Sequence, residues 1–163
     1  IGMIAAKLFQ AFGAKVIAYS RTHRPEAEAL GIRYVELDEL MRESDIVSLH
    51  VPNNANTCGM IGRAQIDAMK PTALLINCAR GPIVDAAALA DALNEGRIAG
   101  AGIDVFDCEP PIPADNPLVN AKNALLTPHV AFLSEESMQR RAEIVFQTLI
   151  AYLKGQPQNV CEL

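Results

Sequence analysis

Tryptophan is absent from this chain of 163 residues, and the aromatic residues together make up only 5% of it. Half of the residues are nevertheless hydrophobic, and most of these are Ala, Leu, Ile and Val. This content is enough to fill the core of one globular domain. Because aromatics are scarce and aliphatics abundant, the composition favours helices packed on a parallel sheet over an antiparallel sandwich.

Clusters of Lys and Arg are also missing, and the formal net charge is -5. A surface without a basic track does not attract nucleic acid or an anionic membrane, so we expect a small metabolite as the partner. No apolar run reaches the roughly 20 residues that a membrane helix needs. No charged segment followed by an apolar one opens the chain. We therefore expect a protein that binds neither nucleic acid nor membrane.

Cysteine is scarce and dispersed, without a CxxC pair or a His spacing typical of zinc sites. We therefore expect no metal site, and we expect reduced thiols in a cytoplasmic protein. The chain also begins at Ile1 without an initiating Met, which indicates a piece of a longer protein. The four cysteines are Cys58, Cys78, Cys108 and Cys161.

Apolar runs punctuated by Gly and Pro predict strands that alternate with helices along the whole chain. This alternation is typical of a doubly wound parallel sheet, the Rossmann-like α/β class. The predicted strands are residues 15–19, 33–35, 45–51, 73–77, 100–105 and 124–126. The predicted helices are residues 1–12, 26–30, 38–42, 63–69, 85–95 and 134–154.

A helix comes first here, whereas a Rossmann unit begins with a strand, a Gly-rich turn and then a helix. If Gly2 is the third glycine of GxGxxG, the first strand and the first two glycines lie upstream of this chain. That strand is central in the usual 3-2-1-4-5-6 order. We therefore expect its two neighbours to lack pairing on one edge.

The run Leu74-Leu75-Ile76-Asn77 predicts a strand buried on both faces, as in parallel sheets under helices. Ligands of open parallel sheets bind beyond the carboxyl ends of the strands. Residues 78–80 would then line the ligand crevice, with Arg80 as the first candidate. The alternative is a surface arginine in a strand-to-helix turn.

Three predicted loops leave the carboxyl ends of neighbouring strands and carry Arg80, Glu109 and His129. Reducing a ketone by hydride builds negative charge on its oxygen, and His is suited to supply the proton there. Glu109 beside His129 would favour the imidazolium and fix its tautomer. Arg80 offers a planar fork of donors for the carboxylate of a 2-oxo acid. Each residue alone has a structural explanation, but together they predict a reductase site.

Three sequence blocks carry a resemblance to a known family. They are residues 77–85 (NCARGPIVD), residues 101–106 (AGIDVF) followed by Glu109-Pro110, and residues 127–131 (TPHVA). In this order they resemble the signatures of the D-isomer-specific 2-hydroxyacid dehydrogenases, including phosphoglycerate dehydrogenases and glyoxylate/hydroxypyruvate reductases. The resemblance covers essentially the whole chain and implies hydride transfer between NAD or NADP and a 2-oxo acid or D-2-hydroxy acid.

The resemblance also implies roles for individual residues. Arg80 would bind substrate, and His129 with Glu109 would form the acid/base pair. The implied cofactor residues are Asp104 at the nicotinamide carboxamide, Val51, Pro52, Cys78 and Ala79 at the nicotinamide wall, Ile1, Gly2 and Met3 at the pyrophosphate, and Arg80, His129 and Ala131 within the same motifs.

The family likeness implies a dinucleotide-binding domain over residues 1–133. Residues 134–163, a helix and tail, would lead back towards a substrate domain that this chain lacks. We expect a homodimer for the full-length protein and no activity from this chain by itself. The apolar stripe of the last helix can pack on its own domain, which we prefer, or contact a second subunit.

Two departures from the family pattern stand out. NAD-preferring members usually carry an acidic residue after the second strand, where this chain has Ser20-Arg21-Thr22 with Arg24 nearby. A carboxylate would repel a 2′-phosphate, whereas these residues could bind it, so we favour NADP over NAD. The alternative is an ordinary polar turn. The second departure is Asn53-Asn54 in place of the common Leu-Thr, for which we have no functional account.

The sequence is compatible with two hypotheses of function. The complete set of Arg80, Glu109 and His129 favours turnover, while a dinucleotide-sensing regulatory module without turnover shares the fold. We expect His50 to be packed or hydrogen-bonded beside the cofactor rather than catalytic. We expect Cys78 to be a small buried hydrophobic residue rather than a nucleophile.

Overall fold

The computed structural model describes residues 1–108 and 111–160. Helices and parallel strands alternate through these residues, as the sequence predicts, and a short 3-10 helix, Gly81–Ile83, follows the fourth strand. The helices are α1 (Gly2–Ala11), α2 (Pro25–Glu28), α3 (Leu37–Glu43), α4 (Arg63–Asp67), α5 (Ala86–Asn94) and α6 (Glu135–Leu153). The strands are β1 (Ile17–Ala18), β2 (Arg33–Tyr34), β3 (Ile46–Leu49), β4 (Leu74–Asn77), β5 (Gly100–Ile103) and β6 (Ala124–Leu126).

The strands form two parallel sheets. Strands β3, β4, β5 and β6 lie in that order in one sheet, and β1 pairs with β2 in the other. Within the described residues, β1 and β3 each have a partner on one edge only. This confirms the expected loss of pairing. Strand β1 is also shorter than the predicted strand over residues 15–19.

The core contains buried residues of the four-stranded sheet and of α3, α4 and α5, and most of the helical ones belong to α5. Asp85 caps this helix, because its Oδ1 accepts a hydrogen bond from the main-chain N–H of Ala88 at 3.0 Å. Five residues of α5 are buried, and two of them, Leu89 and Leu93, are among the largest fully buried side chains. The cap and the apolar face together fix α5 against the strands, and the loop before it therefore starts from a rigid base.

Strand β4 is not buried on both faces, so that prediction was wrong. Leu75 and Asn77 are buried, whereas Leu74 is exposed and Ile76 is only partly buried. Strand β3 has the same pattern. One face of the sheet is packed on the core, and the other carries much less cover from the described residues. An unbroken apolar run in the sequence cannot distinguish these two arrangements.

The chain divides into two compact units, and the second begins at Val130. The second unit contains α6, which begins at a reciprocal cap between Ser134 and Ser137. No residue of α6 is buried, and apolar side chains such as Phe146 and Leu153 are exposed. The predicted division at residue 133 and the predicted use of this apolar surface stay predictions.

Two absences hold for the residues described. None of their helices combines the length and apolar character needed to cross a membrane. Cys58, Cys78 and Cys108 form no disulfide among the described residues, and Cys161 lies outside them. The reduced state of the thiols stays a prediction.

Candidate active site

The carboxyl ends of four strands form one edge of the larger sheet. The parallel register places Leu49 beside Asn77, Asn77 beside Ile103, and Ile103 beside Leu126. The loops that leave these residues therefore start next to one another. This edge is where an open parallel sheet binds its ligands.

The turn that carries Arg80 is shaped by the side chain of Asn77. Its Oδ1 accepts a hydrogen bond from the main-chain N–H of Ala79, and its Nδ2 donates to the carbonyl of Arg80, both at 3.0 Å. Arg80 is exposed, and its Nη1 donates to the carbonyl of Ala79 at 2.6 Å. Asn77 was not among the predicted site residues, although a polar residue at the end of an apolar strand was an available signal.

Gly81 lets two loops approach at main-chain contact distance. A Cβ at Gly81 would lie 1.8 Å from the carbonyl oxygen of Phe106 and 2.4 Å from the main-chain nitrogen of Asp107. Only a residue without a side chain fits there. The loop after β4 and the loop after β5 are therefore held in fixed proximity just beyond Arg80.

His129 is positioned by main-chain hydrogen bonds across the strand ends. Its N–H donates to the carbonyl of Asp104 at 2.8 Å, and the N–H of Asp104 donates to the carbonyl of Asn77 at 3.0 Å. The φ angle of His129 is 55°, in the left-handed region that non-glycine residues rarely adopt. The Thr127 hydroxyl donates to Oδ1 of the buried Asp104 at 2.5 Å. The surrounding contacts thus hold His129 in an uncommon conformation.

Arg80 and His129 line the same pocket, which has a volume of about 180 Å³. This is the juxtaposition that the sequence predicted for these two residues. Glu109, the third predicted member, lies outside the described residues. Asn53, which departs from the family pattern, also lines the pocket. The structure thus places this residue, for which the sequence indicated no function, at the candidate site. The remaining lining residues are Gly81, Pro82, Val105, Phe106, Asp107, Cys108, Ile112 and Pro128.

The amino end of α1 lies against the end of β3. A Cβ at Gly2 would be 3.3 Å from the Cβ of His50, the residue that follows β3. Glycine therefore allows a close approach, and the unpaired N–H groups of the first helical turn open near this edge. The predicted pyrophosphate residues Ile1, Gly2 and Met3 are at this end of the helix. The location and the chemistry of the donors both fit a dinucleotide.

The segment after β3 carries the predicted residues Val51 and Pro52. The hydroxyl of the buried Thr57 donates to the Pro52 carbonyl at 2.6 Å and fixes that loop. Thr57 was not predicted as a site residue, because a threonine within a polar run gives no distinguishing signal. His50 is exposed and forms a hydrogen bond with Ser48 at 3.0 Å, which agrees with the hydrogen-bonded form of the expectation. Its non-catalytic role stays a prediction. Partial burial lowers the pKa of His50 below its usual value.

The turn after β1 carries the predicted residues of cofactor choice, Ser20, Arg21, Thr22 and Arg24. All four are exposed. Within the described part of the chain, neither arginine side chain forms an ion pair. The main-chain N–H of Arg24 donates to the hydroxyl of Tyr34 at 3.1 Å, which ties the turn to β2. Both guanidinium groups can therefore meet an anionic ligand.

Cys78 and Ala79 follow β4 directly, and Asp104 follows the neighbouring strand β5. Cys78 is exposed, so the expectation of a buried residue was wrong. Partial burial of its thiol, with a contribution from the Asp104 carboxylate, still raises the pKa of Cys78. The thiol therefore stays protonated at neutral pH and is a weak nucleophile.

Ala131, the last predicted cofactor residue, belongs to the second unit. Residues 1–108 and 111–160 hold no group of ligands that would bind a metal ion.

Comparison with known proteins identifies similar chains. The family model described as D-isomer specific 2-hydroxyacid dehydrogenase, NAD binding domain, matches residues 1–131. Glyoxylate reductase of Thermococcus litoralis is 47% identical over 162 residues, which cover 98% of this chain and 48% of that protein. The chain spans about half the length of the curated relatives that it matches.

Solved structures show the same fold. The NAD-complexed D-isomer specific 2-hydroxyacid dehydrogenase from Lactobacillus delbrueckii ssp. bulgaricus has a TM-score of 0.86 and 40% identity, covering 98% of this chain and 52% of that one. An acyclic imino acid reductase in complex with NADPH and D-Arg has a TM-score of 0.87 and 35% identity, covering 99% and 50%. Similar chains have therefore been solved with NAD and with NADPH.

Proposed function

Since this chain belongs to the D-isomer specific 2-hydroxyacid dehydrogenases, we propose that the full-length protein interconverts a 2-oxo acid and a D-2-hydroxy acid. The observation that carries this proposal is the shared pocket of Arg80 and His129 at the carboxyl edge of the sheet. A cationic fork and an imidazole in one pocket match the two ends of a 2-oxo acid, its carboxylate and its carbonyl oxygen.

Arg80 and His129 have separate tasks in this proposal. The guanidinium of Arg80 binds the substrate carboxylate through paired N–H groups and orients the neighbouring carbonyl. The imidazolium of His129 gives a proton to the carbonyl oxygen as negative charge develops there, and the neutral ring takes it back in the reverse direction. Glu109 as the partner of His129 stays a prediction. The nicotinamide supplies or accepts the hydride when bound, held by Asp104 and by the residues after β3 and β4.

Cofactor oxidation by the full-length protein tests the activity. We expect NADPH or NADH to be consumed with glyoxylate or hydroxypyruvate. Replacing His129 by Gln should lower turnover by about 10²- to 10⁴-fold, the usual contribution of a general acid, with little change in cofactor affinity. Parent turnover in His129→Gln would contradict the assigned role. Cofactor binding without turnover on any 2-oxo acid would instead support the dinucleotide-sensing module.

The proposed cofactor is NADP rather than NAD. Support comes from the two exposed guanidinium groups of Arg21 and Arg24, from the hydroxyls of Ser20 and Thr22, and from the lack of an acidic residue at this turn. A 2′-phosphate would receive charge-assisted hydrogen bonds there, whereas a ribose diol would find no carboxylate acceptor.

Kinetics with the two cofactors test this preference. Replacing Arg21 and Arg24 together by Ala should lower kcat/KM for NADPH by about 10- to 100-fold, since hydrogen bonds to charged groups are worth about 1.5–3 kcal/mol. The value for NADH should change little. Arg63→Ala is the matched control, because Arg63 pairs with Asp91 on the surface. A parent enzyme that prefers NADH would refute the proposal.

The proposal for the full-length protein also includes a homodimer in the cytoplasm. The exposed apolar side chains of α6 are compatible with a second subunit. Light scattering after size-exclusion chromatography measures the mass directly, and a monomer at micromolar concentration would contradict the dimer.

A further inference from the structure

Asn77 uses its whole side-chain amide on the turn that carries Arg80. The residue is only 1% exposed. Its Oδ1 accepts from the N–H of Ala79, and its Nδ2 donates to the carbonyl of Arg80, both at 3.0 Å. One amide therefore holds the beginning and the end of the two-residue segment 79–80.

The pair of hydrogen bonds requires a side chain that donates and accepts at two separate atoms. Asparagine meets this requirement at this reach, whereas aspartate in its ionised form can only accept and serine has a single oxygen. The main-chain carbonyl of Asn77 is already used, because it accepts from the N–H of Asp104 at 3.0 Å. The side chain is thus the remaining group of Asn77 that shapes the turn.

The conformation of this turn determines where the guanidinium of Arg80 lies. Nη1 of Arg80 donates to the carbonyl of Ala79 at 2.6 Å, and that carbonyl stands between the two groups that Asn77 holds. Beyond Arg80, Gly81 lies so close to the main chain of Phe106 that there is no room for a side chain, which restricts movement of the turn towards that loop. The segment is held on both sides, and the long side chain of Arg80 starts from a fixed backbone.

We propose that Asn77 is a positioning residue for Arg80. By holding the turn, Asn77 sets the direction from which the guanidinium of Arg80 reaches the substrate carboxylate. This inference rests on the proposed function of Arg80. The competing explanation is that Asn77 only satisfies buried main-chain groups at the end of β4, in which case its loss affects stability and leaves substrate recognition unchanged.

A double-mutant cycle in the full-length protein separates the two explanations. The variants are Asn77→Ala, Arg80→Ala and the double variant, each measured for kcat, for KM with glyoxylate, for cofactor affinity and for Tm. We expect Asn77→Ala to raise KM about 10-fold, since misplacement of a binding group costs at least as much as a lost hydrogen bond. Cofactor affinity should change much less. In the Arg80→Ala background, the same change should leave KM unaltered, because its effect passes through Arg80.

Asn94 provides the matched control at the opposite end of the sheet. Its Oδ1 accepts from the main-chain N–H of Lys122 at 3.0 Å. Asn94→Ala therefore removes a hydrogen bond of the same type, from a main-chain N–H to an asparagine Oδ1, at an exposed position far from the site, and the parent KM is expected. If Asn77→Ala does not fold, Asn77→Ser retains one polar atom and takes its place in the cycle, with a smaller rise in KM.

Two results would overturn the positioning role alone. One is a KM that rises equally with and without Arg80, and the other is a lower Tm with the parent KM. An Arg80→Ala variant with parent KM and kcat would overturn the proposed function of Arg80 itself, and the positioning role would fall with it.

Discussion

The two ends of the four-stranded sheet differ in how far their polar groups are buried. The buried polar residues of the described chain all lie at or beyond the carboxyl ends of strands, and they are Thr57, Asn77, Asp104 and Asn116. At the amino ends, charged groups form ion pairs that stay at least partly exposed, such as Lys70 with Asp45 before β4 and β3 and Arg97 with Asp67 before β5.

This difference distinguishes the end of the sheet that carries the candidate site from the end whose charged groups only contribute to stability. Burying a polar group costs free energy unless it is hydrogen-bonded, so a cluster of such groups needs a reason to be there. Exposed ion pairs contribute little and tolerate change. The carboxyl end is therefore organised to hold loops in place, and the amino end is not. Three substitutions test the contrast, in order of decreasing expected effect.

Gly81→Ala should have the largest effect. Its Cβ would lie 1.8 Å from the carbonyl oxygen of Phe106, and main-chain atoms cannot move aside cheaply. The loops after β4 and β5 must separate, and a displacement of about 1 Å at a catalytic group can cost about 100-fold in rate. We expect a loss of that order in kcat/KM with 2-oxo acids, together with a lower Tm.

Gly62→Ala is the control for Gly81→Ala. At Gly62 the nearest atoms to a new Cβ are 3.6 and 3.7 Å away, which is ordinary contact distance. Its activity should equal the parent's. Equal losses in the two variants would show that the close approach at Gly81 does not position the site.

Thr127→Val should have an intermediate effect. The change keeps the shape of the side chain but removes the hydroxyl that donates to Asp104 at 2.5 Å. The buried carboxylate then has one hydrogen bond fewer, which we expect to lower the free energy of unfolding by about 1–3 kcal/mol. Thr148→Val removes an exposed hydrogen bond to Asn159 and should cost clearly less. Denaturant titration of both variants measures the difference, and equal midpoints would argue against a special carboxyl end.

Lys70→Ala should have the smallest effect. The ammonium pairs with Asp45 at 2.8 Å, and the Asp45 side chain is 81% exposed. Exposed pairs contribute about 0.2–1 kcal/mol, and salt screens them. Chemical denaturation at low and high salt should therefore show a small loss that shrinks with salt, without a change in kcat. A loss as large as that of Thr127→Val would remove the contrast between the two ends.

The sequence alone was sufficient for the order of the elements and for the two residues that share the pocket. Gly and Pro mark where each strand and helix ends, and apolar spacing distinguishes their periods. Because all strands of a parallel sheet end at one edge, a motif after each strand is enough to bring Arg80 and His129 together. Neither inference needs the position of any other side chain.

Only the tertiary structure decided how those residues are held. That Gly81 meets the main chain of Phe106, that Asn77 spans the turn of Arg80, and that Cys78 is exposed all depend on segments distant in the chain or on side-chain direction. Local propensity and periodicity carry no information on such contacts, because they describe each segment by itself. The sequence thus determined which residues lie at the site, and the packing of the loops that follow the strands determined their positions and contacts.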